Sequence, residues 1–139
     1  MSRHPEAEGT EQNQKTVEGV VVGGELLLPK GAPMAAYQAY IEELERRKGW
    51  LTVDLVHNCF LMGEEVGELF KAVRRQLKYF EDHSATAGEA QRDSQRHAEV
   101  AEELVDVFNY LCAIANRLDI DLESAFRQKN KVNQGRQWT

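Results

Sequence analysis

The sequence predicts an all-α protein: an antiparallel bundle of about four main helices, preceded by a disordered tail and a β-hairpin. Three observations predict it. Two long apolar seams, Leu55 to Leu77 and Val100 to Leu118, repeat at steps of four and three, the period of helices packed along their length. Shorter helical patterns flank them at Tyr37–Leu44 and Leu122–Phe126. A chain of 139 residues, 42% hydrophobic and 29% charged, suits one soluble domain with a real core.

Residues 1–16 are polar and aperiodic, which predicts disorder. In Val17–Pro29, two apolar runs flank Gly23-Gly24, the pattern of a β-hairpin. A lone hairpin is marginal in water, so it should pack on the helices or on another subunit. Residues 1–30 therefore form a tail and arm, and residues 31–139 the helical domain. Pro29, Gly31 and Pro33 punctuate the join.

Tyr37, Tyr40, Ile41 and Leu44 mark the first helix, and Gly49 should end it. Thr52 is the expected cap of the second. That helix carries Leu55, Cys59, Met62, Val66, Leu69, Val73 and Leu77. Residues 82–97 offer almost nothing to bury and read as a connection. The third helix carries Val100, Leu104, Val107, Leu111, Ile114 and Leu118. Asp119 or Asp121 should cap a fourth, through Leu122 and Phe126.

The net charge of −6 argues against a protein that grips nucleic acid backbones. No apolar run approaches the ~20 residues needed to span a bilayer, and no signal-peptide pattern opens the chain. A cytoplasmic protein is expected. Cys59 and Cys112 form no CxxC pair and read as buried free thiols.

The chemistry lies in two acidic pairs. Glu65 and Glu68 stand three apart on the second helix, Glu103 and Asp106 three apart on the third, so each pair shares a face beside its apolar seam. If the seams pack antiparallel, all four carboxylates can converge. Such a cluster cannot stay ionised unaided. Oxygen-only ligands select magnesium, manganese or calcium over zinc, and magnesium suits a site that phosphate oxygens complete. Solvated helix faces also carry such pairs, and Glu99 and Glu102 have the same spacing. A di-iron bundle would want Glu-x-x-His on two helices, which is absent. Gly67, inside a helix, suggests close approach of a ligand or another backbone.

These residues resemble the MazG-like family of all-α nucleotide pyrophosphohydrolases, marked by Glu-x-x-Glu and, after a spacer, Glu-x-x-Asp. The match is EVGE at Glu65–Glu68 and ELVD at Glu103–Asp106, within GEEVGELFKAVR and AEELVDVFNYLCAIANRLDIDLESAF. It covers roughly residues 37–138 and looks closest to the dCTP pyrophosphatase and integron-borne branch. The resemblance implies Glu65, Glu68, Glu103 and Asp106 as catalytic magnesium ligands, with manganese a substitute. It implies Lys129, Asn133 and Arg136 on the substrate, with Tyr110 and Trp50 lining a nucleotide pocket. It also implies a homodimer or homotetramer with sites near subunit boundaries, as does an apolar surface too large for one thin bundle. Two features depart from the family pattern: a spacer of 34 residues, Leu69 to Glu102, and an N-terminal arm without counterpart.

The basic residues also stand on their own. Leu122, Phe126, Lys129, Asn133 and Arg136 follow one helical stripe that turns from apolar to donor. Lys and Arg bind phosphate by charge-assisted hydrogen bonds and Asn can read a sugar or base, although cations also favour a helix C-terminus. His57 reads as structural, Asn109 as support for Asp106, and Trp138 as an interface or lid residue. No Walker A sequence or Ser-His-Asp arrangement occurs. The expected reaction is magnesium-dependent hydrolysis of a (deoxy)nucleoside triphosphate, with dCTP the leading candidate, to monophosphate and pyrophosphate. The alternatives are phosphoribosyl-ATP hydrolysis and a non-catalytic nucleotide-binding oligomer.

Overall fold

The computed structural model describes residues 20–78 and 88–137. The expected disorder of residues 1–16 and the role of Trp138 lie outside them. The Gly23-Gly24 turn joins β1 (Val21–Val22) to β2 (Glu25–Leu26), antiparallel, with Val21 opposite Leu26 and Val22 opposite Glu25. Both glycines have positive φ, +57° and +82°, as a two-residue hairpin turn with twist matched to its strands requires. The arm is fastened to the helical domain. Val20 is buried, and Arg47 Nη1 donates to Gly24 O at 3.0 Å.

Helix α1 (Met34–Lys48) follows Pro33 and stops at Gly49, whose φ of 74° lets its N–H turn back onto Arg46 O and Glu45 O. Arg46, Arg47 and Lys48 fill its last turn, where cations oppose the negative end of the helix dipole. A 3-10 turn (Trp50–Thr52) leads into α2 (Leu55–Gln76). Asp54 caps α2, accepting from His57 N at 2.7 Å. Thr52, the expected cap, lies in the 3-10 turn instead, and its hydroxyl donates to Gly49 O at 3.3 Å.

Helix α3 runs Glu89–Arg117, beginning eleven residues before its first seam residue. Residues 89–97 are therefore helix, not connection. Their partners explain why periodicity misses them. Lys78 Nζ bridges to Glu89 and to Asp93 Oδ2, the latter at 3.5 Å, and Gln76 Nε2 meets His97 Nδ1 at 3.2 Å. This first stretch is held to the end of α2 by polar contacts, which leave no apolar stripe in the sequence. Helix α4 (Leu122–Gln134) is capped by Asp121, which accepts from Glu123 N at 3.1 Å and Ser124 Oγ at 2.9 Å. Asp119 sits at positive φ in the preceding turn.

Helices α2 and α3 run antiparallel and make the most extensive helix pairing. Their direction is fixed by Gln76 against His97 at one end and Arg117 against Val53 at the other. Helix α1 packs on α3 and α4. At the centre lie Ile41, Cys112 and Ala113, with Tyr40, Phe108 and Leu122 against them. Tyr37 and Phe108 meet edge to face at 6.0 Å. No helix among the described residues is long and apolar enough to cross a membrane.

Two expectations about burial change. Cys112 is buried but Cys59 is exposed. The seams are only half used: Leu55, Met62, Val66 and Leu69 are half-buried, while Val73, Leu77, Leu104, Leu111 and Leu118 stand exposed. Helix α2 buries Asn58 and Ala72 instead, so the seams lie to one side of the helix contact.

Candidate active site

The pairing of α2 with α3 brings three of the four predicted carboxylates together. One oxygen from each of Glu65, Glu103 and Asp106 lies within 4.8 Å of the others. Glu65 projects from the middle of α2. Glu103 and Asp106, three apart on α3, share the face that meets it. Glu65 and Glu103 are half-buried and Asp106 is exposed, so the cluster opens to solvent on one side. Glu68, one turn along α2, is exposed and pairs with Lys71 at 3.3 Å. It stands outside the trio but within electrostatic range.

Burial, more than any neighbour, pushes the Glu65 carboxyl above the usual carboxylate range, and the charges of Asp106, Glu103, Glu68 and Glu64 add to it. The cluster thus gathers negative charge, from carboxylate oxygens only. That donor set fits a hard divalent cation, not a thiophilic one.

Tyr110, one turn beyond Asp106, is half-buried beside the trio. Its phenol is held above the ordinary value by burial first, then by Glu65 and Asp106. It therefore stays a protonated hydrogen-bond donor next to the carboxylates. Asn109, half-buried, accompanies Asp106 on the same turn. His57 serves α2 through its backbone at the Asp54 cap.

The basic stripe is placed differently. Helix α4 packs on α1, and Lys129 and Arg136 are exposed. Asn133 is half-buried, its Nδ2 donating to Asn130 Oδ1 at 3.3 Å. Among the described residues, no hydrogen bond or ion pair joins the stripe to the carboxylates. Trp50 opens the 3-10 turn with its side chain about half exposed.

Sequence reasoning missed the network behind that turn. Arg117, on the last turn of α3, pairs with Glu45 Oε2 at 2.7 Å. It also donates to Trp50 O at 3.2 Å, Val53 O at 3.1 Å and Ala113 O at 3.1 Å. It thereby fixes the backbone that carries Trp50 into α2. Gln38 and Asn116 tie α1 to α3 reciprocally: Gln38 Nε2 reaches Asn116 Oδ1 at 3.2 Å and Asn116 Nδ2 reaches Gln38 O at 2.8 Å. Gln38 Oε1 also accepts from Leu122 N at 3.0 Å, at the start of α4. A signal was available. Gln38, Ile41 and Glu45 follow one helical stripe, and polar residues within an apolar stripe need buried partners.

No curated protein and no solved structure matches the chain. A family model does: phosphoribosyl-ATP pyrophosphohydrolase, over residues 33–133. The matched span runs from the start of α1 to within one residue of the end of α4, holds both acidic motifs, and leaves out the hairpin arm. With its four helices and its match across them, this chain belongs to the phosphoribosyl-ATP pyrophosphohydrolase family, MazG-like all-α hydrolases of nucleotide phosphoanhydride bonds.

Proposed function

We propose that the protein is a magnesium-dependent nucleoside triphosphate pyrophosphohydrolase, converting a (deoxy)nucleoside triphosphate to its monophosphate and pyrophosphate. The observation that carries this reading is the trio of Glu65, Glu103 and Asp106, with oxygens within 4.8 Å on two facing helices. When bound, magnesium, or manganese in its place, sets positive charge against the phosphate oxygens and lowers the pKa of water. Glu65, Glu103 and Asp106 would hold it, with Glu68 recruited from Lys71. Lys129 and Arg136 would bind the phosphate chain, and Asn133, Tyr110 and Trp50 the sugar or base. Tyr110, kept protonated, donates rather than accepts. Because α4 stands on α1, its basic stripe suits a site completed in a homodimer or homotetramer. A reducing cytoplasm fits both the substrate and the two free thiols.

The proposed substrate is dCTP, on the resemblance of Trp50 and Tyr110 to an aromatic nucleotide pocket. A second reading is favoured by the family match itself: phosphoribosyl-ATP, cleaved at the same kind of bond. A panel of deoxyribonucleoside and ribonucleoside triphosphates plus phosphoribosyl-ATP, with pyrophosphate detection and magnesium, separates them. Turnover of dCTP above the other substrates supports the first reading. Turnover of phosphoribosyl-ATP alone replaces it with the second, and metal binding with no turnover across the panel leaves a nucleotide-binding oligomer.

A further inference from the structure

Helix α3 begins well before the carboxylates, inside the long spacer between the two acidic motifs. At about 100° per residue, Arg92, Arg96, Glu99, Glu103 and Asp106 lie on one stripe of α3. The stripe changes sign along its length, basic at the N-terminal end and acidic at the trio. Facing its basic end, Arg75 stands on the last turn of α2, and the Gln76–His97 contact holds the helices together at this level. Between them lies an open cleft of about 240 Å³, lined by Arg75, Arg92, Gln95, Arg96 and Glu99. Three arginines and one glutamate give these walls a net charge of +2, on a chain whose net charge is −6. Arg75 is exposed, and its side chain makes no hydrogen bond or ion pair among the described residues. Arg96 faces Asp93 Oδ1 at 3.6 Å, an ion pair longer than a hydrogen bond. Arg92 and Arg96 have further partners of their own, but a guanidinium offers five N–H donors, more than one partner uses.

We propose that this cleft is an anion site that binds a phosphate group. Bringing like charges from two helices to one place costs free energy in the empty protein, and a bound anion offsets that cost. The planar guanidinium fork matches phosphate oxygens two at a time, and the Gln95 amide adds a neutral donor. At ~30 Å³ per water the cleft has room for about eight waters, enough for a phosphate group and part of its shell. Arg96 is seven residues from Glu103, about 10.5 Å along α3 at 1.5 Å per residue. The cleft therefore neighbours the trio without sharing its residues. Glu99 falls between Arg96 and Glu103 on the stripe, so its carboxylate holds an anion toward the basic end. The phosphate can be the far group of a ligand lying along the groove or a separate anion. The site rests on neither the metal nor the nucleotide assignment.

The test is calorimetric titration of pyrophosphate into the full chain in EDTA. Salt at roughly 0.15 M screens exposed charges more than ~8 Å apart. Without metal the carboxylates repel an anion, so binding reports the cationic groups. Wild type should bind saturably. Arg75→Gln should weaken binding about tenfold, and Arg75→Gln with Arg92→Gln about a hundredfold, with helix content unchanged by circular dichroism. Arg75→Gln decides the matter by itself if the double variant loses helix, because Arg75 is exposed. Lys48→Gln removes the same charge at the end of α1 and should leave the affinity at the wild-type value. Glu65→Gln with Asp106→Asn should not weaken it, which separates this site from the proposed chemistry. Binding of a non-hydrolysable nucleoside triphosphate with magnesium then identifies the source of the phosphate. A parallel loss in Arg75→Gln assigns the cleft to a ligand lying along the groove, and unchanged or absent nucleotide binding assigns it to a separate anion. No saturable pyrophosphate binding in wild type, wild-type affinity in Arg75→Gln, or an equal loss in Lys48→Gln or in the carboxylate double variant would overturn the proposal.

Discussion

Replacing Arg117 by methionine should destabilise the protein far more than the loss of a surface ion pair. The Glu45 side chain is 7% exposed and that of Arg117 15%. Glu45 Oε1 already lacks a hydrogen-bond partner, so Arg117 is what holds the buried charge. Removing one member of a buried pair costs about 3–5 kcal/mol, against ~0–1 kcal/mol for an exposed pair. Arg117→Met also removes one of the two donors to each of Trp50 O and Val53 O, which keep Val53 N and Asn58 Nδ2 respectively. For a chain of this size the loss corresponds to roughly 10–20 °C in Tm. The assay is thermal and urea unfolding by circular dichroism at fixed protein concentration, with Glu45→Leu and the double variant completing a cycle. The double variant should recover much of the loss, since an apolar replacement of a whole buried pair is often neutral. A loss below ~1 kcal/mol in Arg117→Met, or additive losses in the double variant, would refute the reasoning.

Burial pushes the Cys112 thiol up to about 11 from 9.0, while Cys59 is exposed. Native protein at pH 8 should therefore react with one equivalent of thiol reagent, and denatured protein with two. The unfolded chain gives up the Cys112 proton first, so this residue's contribution is whole below pH 9 and is lost as pH rises toward about 11, measurable as falling Tm in Cys59→Ser. Magnesium should stabilise wild type by mass action, ~2.7 kcal/mol at a hundredfold excess over its Kd. That gain should vanish in Glu65→Gln with Asp106→Asn, and its survival would place the ion elsewhere. Arg136→Ala should raise KM about ten- to hundredfold through loss of a charge-assisted phosphate contact. Gln134→Ala, on another face, should change little, and wild-type constants in Lys129→Ala, Asn133→Ala and Arg136→Ala together would make the stripe a solvated helix end.

The architecture was legible where periodicity or a special backbone demanded a residue type. The α2 and α3 seams, the Gly49 stop, the Gly23-Gly24 turn and the Asp121 cap all carry such signals. Residues 89–97 were illegible because ion pairs, not an apolar stripe, hold them to α2. The cap of α2 was misplaced by two residues because a 3-10 turn occupies Trp50–Thr52, and short turns leave little periodic trace. At the site, spacing on two helices was enough to bring Glu65, Glu103 and Asp106 together. It could not tell that Glu68 turns to Lys71, since side-chain direction depends on the neighbour three residues on. The Glu45–Arg117 pair joins residues 72 apart in sequence, and no local pattern announces a contact of that range.

The central claim is that the carboxylate trio performs pyrophosphohydrolysis. Its most direct test is product analysis on the best nucleotide of the panel, with saturating substrate and magnesium, comparing wild type with Glu103→Gln. Wild type should release monophosphate and pyrophosphate in equal amounts, and the variant should lose turnover even at saturation. Release of single phosphates, or wild-type turnover in Glu103→Gln, would contradict the account.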